Sequence, residues 1–136
     1  MSAAPQLLPP MISPGQHAVL DYSVAATFFA LAMHHRNRNS AAARLAFANG
    51  TMVLVMSMLT DYPGGIWRRI SFKTHRALDM VQAALSGLGP ILFGFRDAPE
   101  AKAFYAQASS EVGVITMTDW EAGSGSNRSL SHPSTM

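Results

Sequence analysis

Polar and apolar positions along this chain sort into blocks. Four stretches, Ala18–Met33, Leu45–Leu59, Ala77–Phe95 and Ala103–Met117, contain no Lys or Arg, and their only acids are Asp21, Asp79 and Glu111. Nearly all remaining charge lies between them, which is how small polytopic membrane proteins distribute charge. The pattern predicts an all-α fold, a four-helix transmembrane bundle. A span needs about 20 residues to cross about 30 Å of hydrocarbon. The third stretch comes nearest to that length, and the others reach it by drawing in flanking residues. A soluble four-helix bundle is the competing architecture.

A shift of 58 residues lays the chain on itself without a gap. His17 falls on His75, Leu20–Asp21 on Leu78–Asp79, Ala25–Ala26 on Ala83–Ala84, Arg38 on Arg96, and Thr60–Asp61–Tyr62 on Thr118–Asp119–Trp120. The H-x-x-L-D and T-D-aromatic matches at one offset mark an internal duplication. The units run over residues 17–62 and 75–120, joined by an amphipathic basic linker at 63–74. Residues 1–16, proline-broken and without a basic start, read as a flexible or interfacial lead-in and not a signal peptide. The Gly/Ser-rich residues 121–136 read as a disordered tail.

Each unit reads as one helical hairpin. Two helices per unit make a parallel repeat, related by a pseudo-two-fold along the membrane normal, with both termini on one side. Small residues spaced by four (Ala26/Ala30, Ala46/Gly50, Ala83/Gly87, Ala106/Ser110) suit close helix packing in lipid. Gly89 and Pro90 inside the third stretch predict a kink in what should be the longest helix, because proline removes a backbone donor and clashes with the preceding turn.

Composition then removes whole classes of chemistry. With no cysteine there is no disulfide, thiol nucleophile or zinc-thiolate site. A net charge of +2 is too small and too scattered for nucleic-acid binding. No G-x-S-x-G, phosphate loop, dinucleotide fingerprint or H-E-x-x-H occurs.

"LSGLGPILFGF" following "HRALD" resembles the small bacterial membrane proteins with SPW repeats, and Leu59–Tyr62 matches the L-T-D-Y motif found between their units. The resemblance covers about residues 15–120 and is best in the second unit. It implies two helical-hairpin units in the inner membrane and brings no enzymatic activity. The chain departs from the pattern at Gly89–Pro90–Ile91, where Ser-Pro-Trp is expected, and in the first unit, which reads "LAMHHRNR" there.

Six side chains carry the candidate chemistry. His17 and His75 start the first and third helices, Asp21 and Asp79 lie one turn further in, and Asp61 and Asp119 end the second and fourth. The hairpin topology puts all six at one end of the bundle. An aspartate at a helix C-terminus is disfavoured by the helix dipole, so each terminal aspartate is expected to meet a histidine across a helix contact. That makes the six a structural polar ring, with a metal or proton-relay site as the sharper alternative. His34–His35 read as a solvated loop, and Glu111 as either interior or interfacial.

The functional expectation is a multi-pass inner-membrane protein with a structural or accessory role, without enzymatic activity or cofactor. Its partners are the lipid bilayer and further copies of itself. The alternative is a membrane redox protein binding metal, haem or quinone through the ring. Lys and Arg divide five against five between the two sides, so the positive-inside rule gives no orientation, and the termini lean only weakly to the cytoplasm.

Overall fold

A computed structural model describes residues 9–122. They form four helices, α1 (Pro14–His35), α2 (Ser40–Leu59), α3 (Phe72–Leu92) and α4 (Ala101–Met117), with no strand beyond two isolated bridges. The residues expected as a tail, 121–136, lie almost entirely outside the described residues, as do the first eight of the N-terminal lead-in.

Local caps set the helix starts. The Ser13 hydroxyl accepts from the Gln16 amide while the Gln16 side chain accepts from the Ser13 amide, a reciprocal capping box with Pro14 at the first helical position. The first helix therefore begins three residues before His17, the position the hairpin boundary predicted. Ser71 caps α3 at the Thr74 amide, which starts that helix at Phe72 inside the expected linker. Asn39 caps α2 at the Ala42 amide. Helix α1, at 22 residues, is longer than α3, at 21, contrary to expectation.

Gly89 and Pro90 do not sit mid-helix. They lie in the closing turn of α3, where Phe93 N–H donates to Gly89 O at 2.9 Å and Phe95 N–H to Pro90 O at 2.8 Å. The helix stops at Leu92, and Gly94 follows at φ 77, so the proline belongs to a helix end. Gly89 also fits against Leu45 of α2, with which any Cβ there would collide.

Helices α1 and α2 pack most extensively on each other, as do α3 and α4, and α2 also packs on α3. Three layers stack along the bundle. At one end an apolar core gathers Phe28, Leu45, Phe95 and Phe104 with Ala42, Ala46 and Ala101. In the middle, Gln82 Nε2 donates to Asn49 Oδ1 at 2.9 Å, and Ser86 Oγ closes a triad with both. At the other end Ala18, Tyr62, Phe72 and Trp120 wall in two histidines and two aspartates. Of the small-residue pairs, Ala46/Gly50 is buried, whereas Ala26/Ala30 and Ala106/Ser110 are exposed.

At 1.5 Å per residue α1, α2 and α3 run about 30–33 Å and α4 about 26 Å. Among the described residues one helix, α2, is both long and apolar enough to cross a membrane. The third stretch, expected to qualify most easily, does not, because α3 ends at Leu92, three residues short of Phe95, and any span-length window in it then takes in His75, Arg76 and Asp79.

A Cβ on Gly50 would lie 3.2 Å from Phe28 Cβ and 3.3 Å from Ala25 O, and the latter is backbone that cannot yield. Gly50→Val should therefore cost about 1–3 kcal/mol through overpacking. Gly113→Ala meets no heavy atom nearer than 4.0 Å and should be neutral or stabilising. Thermal unfolding of the two variants checks this, and equal melting temperatures would contradict the close α1–α2 approach.

Candidate functional site: a buried histidine–aspartate ring

The i, i+4 spacing of H-x-x-x-D puts a histidine and an aspartate on one face of α1 and again on one face of α3. The two faces meet. His17 Nε2 lies 3.3 Å from Asp21 Oδ1 and 3.0 Å from Asp79 Oδ2, and His75 Nε2 lies 3.1 Å from Asp21 Oδ2 and 3.1 Å from Asp79 Oδ1. Each imidazole thus touches both carboxylates, and each carboxylate gives one oxygen to each imidazole. Both histidines are 1% exposed.

The far nitrogens are held as well. His17 Nδ1 is 2.8 Å from the Thr118 hydroxyl, and His75 Nδ1 is 2.7 Å from the Thr60 hydroxyl. Each threonine has one proton to give and gives it to its own helix, Thr60 to Met56 O at 2.6 Å and Thr118 to Val114 O at 2.7 Å. The hydroxyls must therefore accept from the imidazoles, so both Nδ1 atoms carry hydrogen. The Nε2 atoms are what the ring has left for chemistry. With both carboxylates ionised, the ring closes electrically with two added protons or with one divalent cation.

Tyr62 adds a third support, donating its phenol to Asp21 Oδ2 at 2.8 Å. Burial and the neighbouring Asp21 carboxylate raise the Tyr62 phenol above its ordinary value, which keeps it a donor. Beside the ring lies a cavity of about 60 Å³ lined by His17, Asp21, Asp79, Gln82, Gln107 and Glu111, among others. Glu111 accepts from Gln107 Nε2 at 3.2 Å through one oxygen, and its other oxygen is buried without a partner. The structure places Glu111 on this interior wall.

Four of the six expected ring residues come together. Asp61 and Asp119 do not. Asp61 is exposed and lies 3.5 Å from the equally exposed Arg68. Asp119 accepts from the amides of Glu121 and Ala122 in a local turn. The reason is backbone conformation. Thr60 (ψ 141) and Thr118 (ψ 136) leave the helix in extended geometry, and extended residues alternate sides. Thr60 and Tyr62 face inward and Asp61 outward, while Thr118 and Trp120 are likewise buried. The T-D-aromatic motif was the signal for these threonines, and a helical reading of it selected the wrong residue.

The histidine pair at the end of α1 is also not a solvated loop. His34 is exposed, but His35 is buried, with neither ring nitrogen hydrogen-bonded.

Comparison with family models, curated proteins and solved structures finds no match to this chain.

Removing one member of the ring leaves an opposing charge buried and unpaired, which costs about 3–5 kcal/mol. Asp79→Ala should lose that much in thermal unfolding. Asp61→Asn should stay within about 0.5 kcal/mol of the wild type, since exposed ion pairs contribute little. Comparable losses in the two variants would mean that the ring does not hold the bundle together.

Proposed function

We propose that this is a small multi-pass membrane protein, built from two tandem hairpins and clasped by the histidine–aspartate ring, with a structural or accessory role in the bilayer. The observation that carries this reading is a buried polar layer inside a bundle whose exterior carries large apolar side chains. Asn49, Ser57 and Ser86 are 0% exposed and Gln82 is 2%, whereas Val81, Leu88, Leu92, Phe47 and Val112 all exceed half exposure. A soluble bundle of this size turns its amides inward only where needed and does not ring itself with large apolar side chains. In hydrocarbon the same arrangement is favourable, because the interior supplies hydrogen-bond partners and the exterior meets lipid.

The duplication is supported by pairings that the 58-residue shift exchanges. The Ile12–Thr118 bridge corresponds to the Ile70–Thr60 bridge. Asp119 N–H to Ile12 O corresponds to Asp61 N–H to Ile70 O, and the His17–Thr118 contact to the His75–Thr60 contact. The resemblance to SPW-repeat membrane proteins points the same way. Helix α4, the shortest, spans with the help of local thinning or flanking residues.

The absence of cysteine gives a clean background for labelling. After carbonate washing the full chain should stay in the membrane pellet. Single cysteines at the exposed α3 positions Val81 and Leu88 should resist a membrane-impermeant maleimide in native vesicles. Cysteines at Asp61 and Asp97 should label from opposite sides. Release into the aqueous wash, or ready labelling at Val81 and Leu88, would instead identify a water-soluble bundle.

A further inference from the structure

We propose that His17, Asp21, His75 and Asp79 bind one divalent transition-metal ion through the two Nε2 atoms and the two carboxylates. The four donors converge, with one ligand atom from each residue lying within 4.8 Å of all the others. Bonds of about 2.0–2.2 Å to nitrogen and oxygen place tetrahedral ligand atoms about 3.3 Å apart. The four nitrogen–oxygen separations of 3.0–3.3 Å fall at or just inside that spacing and run to all four carboxylate oxygens, so one oxygen of each aspartate would turn toward the ion.

Direction separates an ion from protons. A proton on Nε2 needs an acceptor along the N–H bond, and contacts far from that line are weak. The His17–Asp79 contact meets this requirement. His75 Nε2, however, is buried between an oxygen of each aspartate, 3.1 Å away in both cases, and lines up well with neither. An Nε2 set between two carboxylate oxygens, in line with neither, can direct its lone pair at an ion that both carboxylates hold.

The surroundings have the form of a metal site's outer shell. Metal-bound imidazoles almost always donate their other N–H to an oxygen that fixes tautomer and ring orientation. Thr60 and Thr118 do this for both rings, and Tyr62 orients Asp21. The adjoining cavity brings Gln82, Gln107 and Glu111 to the side of the four donors. Two neutral imidazoles with two carboxylates suit Zn²⁺, Fe²⁺, Mn²⁺ or Co²⁺ better than the all-oxygen preference of Mg²⁺ and Ca²⁺ or the sulfur preference of Cu⁺.

The test uses the full chain in detergent, stripped with chelator, dialysed and titrated with Zn²⁺ and separately with Co²⁺. The expected result is one ion per chain, with visible ligand-field bands for Co²⁺. His75→Gln and Asp79→Asn should weaken binding by more than about 100-fold. Thr60→Val, which touches only the Nδ1 side, should weaken it about 10–100-fold, while Asp61→Asn should bind as the wild type does. If the ring variants do not fold, the wild-type stoichiometry and the Thr60→Val affinity decide the matter. A wild-type chain that takes up neither ion, or binding unchanged by Thr60→Val and His75→Gln, would show that the ring is closed by protons alone. Binding is read in detergent, so it stands or falls separately from the membrane assignment, which carbonate washing and labelling decide.

Discussion

Two carboxylates and two imidazoles removed from water are the constraint on which this structure depends. Each buried charge costs several kcal/mol unless its partners are in place, and the partners come from every helix. The rings and carboxylates belong to α1 and α3, while Thr60 and Thr118 stand at the ends of α2 and α4. Both supporting bonds cross between hairpins, since His17 of the first leans on Thr118 of the second and His75 of the second on Thr60 of the first. Neither hairpin can bond both nitrogens of its own histidine, so the ring ties the two halves together.

The layers above the ring obey a similar logic with neutral groups. Asn49, Gln82 and Ser86 bond one another between α2 and α3, and Asn49 also donates to Leu45 O in its own helix. Such networks contribute when every member is satisfied and cost when one is not. Here they sit where the proposed lipid environment offers no alternative partner, while Val81, Leu88 and Leu92 of α3 lie outside. Hydrophobic burial is then a weak force between the helices, and close approach takes over, as at Gly50 against Ala25 and Phe28 and at Gly89 against Leu45.

Much of this was legible in the chain. Charge blocks located four helices, and the repeated H-x-x-x-D brought His17, Asp21, His75 and Asp79 to one end. Periodicity could not show where helices α2 and α4 give way to extended backbone. One residue of helix more or less exchanges the inward positions, and this is why Asp61 was expected where Thr60 stands. The helix starts were written in Ser13–Pro14 and Ser71, which are caps, but the apolar blocks drew attention past them. Asn49, Gln82 and Ser86 left no signal, since a polar residue in an apolar block reads as a helix face turned to water. Their partners are set by the meeting of α2 and α3, which no single segment encodes.

The ring's charge count also constrains its occupant. With both Nδ1 protons committed to the threonines, two neutral imidazoles and two carboxylates sum to two negative charges in a site walled by Tyr62, Phe72 and Trp120. Two protons or one divalent ion bring the sum to zero. A monovalent ion balances the sum only if one Nε2 keeps its proton, and a trivalent ion only if the Glu111 carboxylate on the adjoining cavity wall supplies a third negative charge. Any charge left over would carry the several-kcal/mol penalty of an unpaired buried ion. Within the proposed metal site, the four ring residues by themselves thus balance a divalent ion, and Glu111 is the group that would change the count.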